Sequence, residues 1–255
     1  MKPLIVANWK CNPITLREAE KLFDSIGKGI KNVKNSEVVI CPPFVWLSNL
    51  LASKPYTLNP KLGAQDCFWE GKGAFTGEIS PAMLKNLGVD YVIIGHSERR
   101  KYQREIDEMI NKKLKALLGA GLKPILCVGS KDRNQKKEFK EIKIQLKNAL
   151  SGIKKPNPKN IIITYEPVWA ISTTEGRKIA TSKKVKEGAS FIRNILIKLF
   201  DKNFAHKIKI IYGGSVDSKN VREFLKEAQM AGVLVGAASL NPQEFIKAVK
   251  NASSP

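Results

Sequence analysis

The chain is 255 residues long and 43% hydrophobic, with 44 Lys and Arg against 23 Asp and Glu, a formal net charge of +21. Its length suits one α/β-barrel domain spanning residues 1–255, and no Pro/Ser-rich linker, low-complexity tract or composition shift divides it. The apolar run Leu4-Ile5-Val6-Ala7 is far too short for a signal peptide or membrane span, and two histidines with four scattered cysteines offer no metal-ligand spacing.

The cysteines (Cys11, Cys41, Cys67, Cys127) contain no C-x-x-C pair and read as reduced thiols of a cytoplasmic protein. The excess positive charge admits three readings: nucleic-acid binding, attraction of an anionic substrate, or a solvated lysine-rich surface. Lys136, Lys140, Lys143 and Lys147 recur at helical spacing opposite an apolar stripe of Phe139, Ile142, Leu146 and Ala149. That pattern predicts an amphipathic helix with a wet lysine face. No aromatic residues interleave with the lysines as a stacking platform for bases requires, so no specific nucleic-acid partner is expected.

Eight apolar, strand-like runs follow along the chain, near 3–8, 37–41, 61–65, 90–94, 123–128, 160–165, 208–212 and 232–235. Helical periodicity follows each; after the sixth, Val185, Ala189, Ile192, Leu196 and Leu199 recur at intervals of 3–4 residues. Ser80-Pro81 and Asn241-Pro242 each place a capping side chain before a proline suited to the first helical position. Alternating buried strands and helices predict a parallel sheet, and eight repeats predict a closed (β/α)8 barrel. The alternative is an open doubly wound sheet, but no G-x-G-x-x-G follows the first strand. In a barrel, the C-terminal strand ends form the active face.

Those ends carry the chemistry. The first run ends in Asn8-Trp9-Lys10 and the fourth in Gly95-His96-Ser97-Glu98. Ser97 and Glu98 look like the first turn of a short helix, whose positive end keeps an adjacent imidazole neutral. The sixth run, Ile161-Ile162-Ile163-Thr164-Tyr165, is rich in β-branched residues and predicts a strand buried on both faces. It delivers Glu166, and Pro167 stops the ladder. The stiff, apolar Pro167-Val168-Trp169 that follows argues for a carboxylate aimed at a substrate rather than at water. The seventh and eighth runs end in Gly213-Gly214-Ser215 and Gly236-Ala237-Ala238. Small residues at these adjacent ends are suited to holding phosphate through backbone N–H groups.

Taken together these segments, with Gly63-Ala64-Gln65-Asp66, Gly73–Ser80, Pro124–Gly129 and Leu234–Leu240, closely resemble the triosephosphate isomerase family over essentially the whole chain. Gly95-His96-Ser97-Glu98-Arg99-Arg100 and Tyr165-Glu166-Pro167-Val168-Trp169-Ala170 are the most specific to it. The resemblance implies interconversion of dihydroxyacetone phosphate and glyceraldehyde 3-phosphate in glycolysis and gluconeogenesis, without metal or organic cofactor. It implies Glu166 as the base, neutral His96 and Lys10 at the oxygen where charge develops, and Asn8 beside them. Glu98 is expected to support Lys10 from behind. Ser172, Ser215, Gly236 and Ala237 are the implied phosphate ligands. A homodimer is implied, with Phe75 and Thr76 of the long aromatic segment before Ser80 reaching the neighbouring subunit.

Some positions depart from the family pattern. The lid Ala170–Thr181 is about three residues longer than the usual form, and Ser172 stands where that form has glycine. Ala237 replaces a second glycine, Ser130 replaces a usual glutamate, and Gln103-Arg104 alter the segment after Arg100. A stiffer entry and extra residues predict a lid that closes less readily, unless Thr173, Thr174 or Arg177 supplies contacts in return. The competing readings are a nucleic-acid-binding basic barrel and another sugar-phosphate enzyme. A barrel aldolase would need a Schiff-base lysine or a metal cluster, and Lys10 is the strand-end lysine in evidence.

Overall fold

A computed structural model describes residues 2–53 and 60–254. Its strands are β1 (Leu4–Asn8), β2 (Glu37–Cys41), β3 (Lys61–Ala64), β4 (Tyr91–Ile94), β5 (Lys123–Val128), β6 (Ile162–Tyr165), β7 (Lys209–Tyr212) and β8 (Gly232–Val235). All pair in parallel in sequence order, and β8 returns to β1 with Leu4 opposite Gly232, so the sheet is a closed barrel. That pairing removes the open-sheet alternative. Three strands match the expected runs at both ends, and five are trimmed by one or two residues at one end.

Strand alternation divides the core into two layers. Leu4, Val6, Val39, Cys41, Tyr91, Ile93, Ile125, Cys127, Ile162, Ile211 and Leu234 pack together inside the barrel. The alternate residues, such as Ile5, Ala7, Val38, Ile40, Ile163 and Ile210, pack outward against the helices. Strands buried on both faces need continuous apolar runs, which is why they stood out in the sequence.

The helices follow their local signals. Ser80 accepts a hydrogen bond from Met83 N–H at 3.1 Å, Asn241 accepts one from Glu244 N–H at 3.0 Å, and each precedes proline at the helix start. Helix 135–149 buries Ile142, Leu146 and Ala149, half-buries Phe139 against Phe191, and exposes Lys136, Lys140, Lys143 and Lys147. The segment 65–80 has no regular secondary structure. Its base is tied down where Lys113 Nζ donates to both Asp66 oxygens at 2.8 Å and Arg99 reaches Asp66 at 2.8 Å. Among the described residues no helix is long and apolar enough to cross a membrane.

The N-terminal mouth of the barrel is closed by charge. Glu37 Oε1 accepts from Lys61 Nζ at 2.9 Å and from the Tyr91 hydroxyl at 2.7 Å, and Lys209 lies 3.6 Å from Oε2. Burial alone would raise this carboxyl, but the two hydrogen bonds and the nearby ammonium groups bring its pKa down to about 2 from 4.5. Glu37→Gln should lower the unfolding free energy by about 2 kcal/mol at pH 7, a figure already reduced for the site's partial solvent contact. The folded pKa lies below the unfolded one, so this stabilisation is whole above pH 4.5 and is lost as pH falls toward 2. Denaturant titrations should show the gap between wild type and variant closing over that window. A gap unchanged down to pH 3 would mean that Glu37 acts through packing alone.

Candidate active site

The alternation that turns Leu4 and Val6 into the barrel also brings Asn8 to its C-terminal rim, and the same parity in β6 brings Glu166 there after Ile162 and Thr164. Two glycines make the rim possible. Gly95 follows β4 with φ +70°, a bend that carries His96 toward Glu166. A Cβ at Gly129 would lie 1.8 Å from the Glu166 carbonyl oxygen, so only glycine lets the ends of β5 and β6 approach. There the Glu166 N–H donates to Val128 O at 2.8 Å, extending the ladder one residue before Pro167.

His96 Nε2 lies 2.9 Å from Glu166 Oε1, with the two side chains 7% and 3% exposed. His96 is the cap of helix 97–102: its Nδ1 accepts from the Glu98 N–H at 3.2 Å. The next amide, Ser97 N–H, donates to Glu166 Oε2 at 3.1 Å. One short helix thus presents one amide to each member of the pair. Burial opposes charge on both groups, but their mutual attraction wins. It holds the His96 pKa above its ordinary value and, with the Ser97 amide and Lys10, holds Glu166 below its own. Glu166 is therefore ionised at neutral pH despite its burial.

Lys10 has a left-handed backbone, φ +55°, which is strained for a residue with a side chain. Neighbours fix it there. Its N–H donates to Asn8 Oδ1 at 3.0 Å, and Gln65 Nε2 donates to Lys10 O at 2.8 Å and to Cys41 O at 2.9 Å. Lys10 Nζ lies 2.5 Å from Glu98 Oε1 and 3.5 Å from the lid residue Thr173 Oγ1. Asn8, Lys10, His96, Glu98 and Glu166 thus form one contiguous cluster. Gln65 belongs with them; its place in a strand-end motif was visible in the sequence, but its grip on Lys10 depends on the β1–β2–β3 neighbourhood.

A space of about 10 Å3 separates Asn8, Lys10, His96 and Glu166 from Ser172, Gly214 and Gly236. It could take about one water. It is too small to hold a triose phosphate. A far larger cavity, about 930 Å3, lies against Glu98, Lys101, Tyr102, Lys131 and Arg133 and is not lined by Lys10, His96 or Glu166. Converging chemistry, not volume, marks the site.

Ser172 and Gly236 face this space, whereas Ala237 is exposed in the turn beyond it. The Ser215 N–H and Oγ both donate to Ala170 O, at 2.9 and 2.7 Å, fastening the lid's first residues to the end of β7. The longer lid is tightly organised. Thr174 Oγ1 donates to Val168 O at 2.6 Å, Arg177 N–H to Thr174 O at 3.1 Å and Lys178 N–H to Trp169 O at 3.2 Å. Arg133 reaches Gly176 O from outside the lid. The contacts that could offset a stiff lid entry are thus present. Ser130 O accepts from Val168 N–H at 2.9 Å, while Glu138 accepts from the Tyr165 hydroxyl at 2.7 Å beneath the lid. Phe75 and Thr76 are exposed in segment 65–80, with the Phe75 ring tilted against Phe68. Among the described residues, no group of His, Cys, Asp and Glu side chains is arranged to hold a metal ion.

The comparisons agree with this geometry. The family model described as triosephosphate isomerase matches residues 3–252. The triosephosphate isomerase of Thermoanaerobacter sp. (strain X514) is 47% identical over 250 residues, covering 97% of this chain and 98% of its own. That of Aquifex aeolicus (strain VF5) is 46% identical over 252 residues, covering 98% and 99%. The crystal structure of triosephosphate isomerase from Bartonella henselae superposes with a TM-score of 0.86 at 35% identity, covering 98% and 99%. The chain belongs to the triosephosphate isomerase family.

Proposed function

We propose that this protein interconverts dihydroxyacetone phosphate and D-glyceraldehyde 3-phosphate by proton transfer through an enediolate, and that Asn8, Lys10, His96 and Glu166 carry the reaction. The observation that carries this reading is the buried carboxylate of Glu166 facing the Nε2 edge of His96 at 2.9 Å, with Lys10 within the same rim. Entry of a triose phosphate between the two side chains replaces their mutual contact with contacts to substrate. Glu166 then takes the proton from the carbon beside the carbonyl and returns it to the neighbouring carbon, on one face of a planar enediolate.

The charge that leaves Glu166 collects on the substrate oxygens. His96 is set up to meet it as a donor. Because Nδ1 accepts from the Glu98 amide, the proton of a neutral ring sits on Nε2, the nitrogen that faces the reacting atoms. Separating His96 from Glu166 removes the contact that favours the imidazolium, so the ring meets the substrate neutral. Lys10 adds a fixed positive charge and Asn8 a side-chain amide. These interactions strengthen as charge develops, which lowers the barrier rather than merely tightening binding. The lid shields the enediolate from water and from loss of phosphate.

Segment 65–80 supports a homodimer. Phe68, Trp69 and Phe75 form a tilted aromatic stack that extends into an exposed segment, with Phe75 43% exposed. Exposed Ile14, Val45, Met83 and Tyr102 add apolar surface for a partner to cover. Thr76 would then reach the neighbouring subunit's site. Cys41, Cys67 and Cys127 are buried and unpaired, which fits a reducing cytoplasm.

Three measurements check these assignments. In a coupled assay of glyceraldehyde 3-phosphate formation, wild type should turn over and Glu166→Gln should lose about 10²–10⁴-fold in kcat, the range for removal of a general base, with its melting temperature retained. Wild-type-like turnover in the variant would overturn the assignment. Gln65→Leu strips Lys10 O of its amide partner, while Cys41 O keeps the Trp9 N–H, and frees the strained Lys10 backbone, so kcat/KM should fall about tenfold or more. Sedimentation velocity should find wild type dimeric and Phe75→Glu shifted toward monomer; a dimer of undiminished affinity would place the interface elsewhere.

A further inference from the structure

We propose that Arg177, on the lengthened part of the lid, is a direct ligand of the substrate phosphate, an inference that rests on the isomerase reading above. Arg177 Nη1 lies 3.3 Å from Ser172 O and 3.5 Å from Ser215 Oγ, at the rim where the implied phosphate ligands meet. Arg177 forms no ion pair with a carboxylate among the described residues, so its guanidinium is uncommitted in charge.

Two features of the site call for such a group. The first is that the Ser215 donors are already taken. Ser215 offers its amide and hydroxyl at the phosphate end, and both are engaged by Ala170 O. A phosphate dianion needs several donors, and a guanidinium carries five in a planar fork that matches phosphate oxygens. The second is charge. Lys10 is already matched by Glu98 at 2.5 Å, and Glu166 adds a further negative charge. A dianion brought beside that set without another cation would meet net repulsion in a water-poor space, where Coulomb interactions are strong.

The lid's fold explains how Arg177 arrives there. The hydroxyl of Thr174 is fixed on Val168 O, the Arg177 amide closes a turn onto Thr174 O, and Lys178 N–H returns the chain to Trp169 O. Arg133 holds Gly176 O on the outer side. The turn is thereby braced on both flanks of Arg177, whose exposed side chain reaches Ser172 O and Ser215 Oγ at the outer edge of the site. The extra residues are thus a mount for a cation rather than slack.

The test compares Arg177→Gln and Arg177→Lys with wild type. Titration with inorganic phosphate should show about tenfold weaker binding in Arg177→Gln, the loss of a charge-assisted contact, with partial recovery in Arg177→Lys. In steady-state assays KM for D-glyceraldehyde 3-phosphate should rise by a similar factor, and the loss should be about tenfold smaller with D-glyceraldehyde, which lacks the phosphate. Phosphate binding within twofold of wild type in Arg177→Gln would overturn the proposal. So would an equal loss with both aldehydes, since that pattern belongs to a residue that only staples the lid. Phosphate titration needs no turnover, so a wild-type protein that binds phosphate through Arg177 but fails to isomerise triose phosphates would sink the functional reading and leave this inference standing.

Discussion

A carboxylate buried at the end of an apolar strand is costly to ionise, and the top of this barrel is organised around that cost. Left alone in such a setting, Glu166 would take up a proton and cease to be a base. It stays charged because His96 and the Ser97 amide face it from the end of β4 and Lys10 lies in the same rim after β1. These groups are far apart in sequence. They meet only because the barrel closes, with β8 paired to β1 and each strand delivering its end residue to the same rim. In the proposed reaction, substrate displaces the partners that stabilise the carboxylate, which leaves a less solvated and therefore stronger base.

Much of this was legible in the sequence because the barrel imposes a simple rule. Strands buried on both faces require continuous apolar runs, and the first polar residue after such a run falls at the rim. Asn8 and Glu166 follow that rule directly. His96 follows it with the help of Gly95, whose bend is also a local signal. What remained hidden depends on neighbours across the sheet. Gln65 follows the third apolar run and so falls at the rim, but its grip on Lys10 O and Cys41 O arises only once β3 sits beside β2. Gly129 reads as an ordinary turn glycine until the Glu166 backbone is found where its Cβ would be. Likewise, the Ser215 donors could be assigned to phosphate from sequence, but their engagement by Ala170 O depends on how the lid folds.

The net charge of +21 divides into two physical roles. Much of it is dispersed and solvated, as on helix 135–149, where the lysines face water opposite buried Ile142 and Leu146. Such charges favour solubility and draw anions weakly, but a dispersed lysine face has no means of reading bases. A smaller set is placed with partners: Lys61 and Lys209 around Glu37 at the N-terminal mouth, Lys113 and Arg99 around Asp66, and Lys10 with Glu98 at the rim. In each of these the cation compensates a carboxylate that is partly or wholly withdrawn from water, so the energetic consequence comes from the pairing and not from the total.

The lid shows how a sequence can lose a flexible residue and still close over its site. Glycine at position 172 would permit backbone geometries that serine resists, and added residues enlarge the ensemble that closure must restrict. Here much of that restriction is internal to the lid. Thr174 and Lys178 bond back to Val168 and Trp169, so the added residues form a turn closed on the lid's own backbone, with fewer conformations left to restrict. The closing equilibrium then depends on fewer bonds, those between the turn and its surroundings: Thr173 to Lys10, Arg177 to Ser215, and Arg133 to Gly176. Two of these involve Lys10 or Arg177, the cations proposed to meet the substrate. A phosphate dianion near them can favour the closed lid by its differential contact with that state, so substrate binding and water exclusion become coupled.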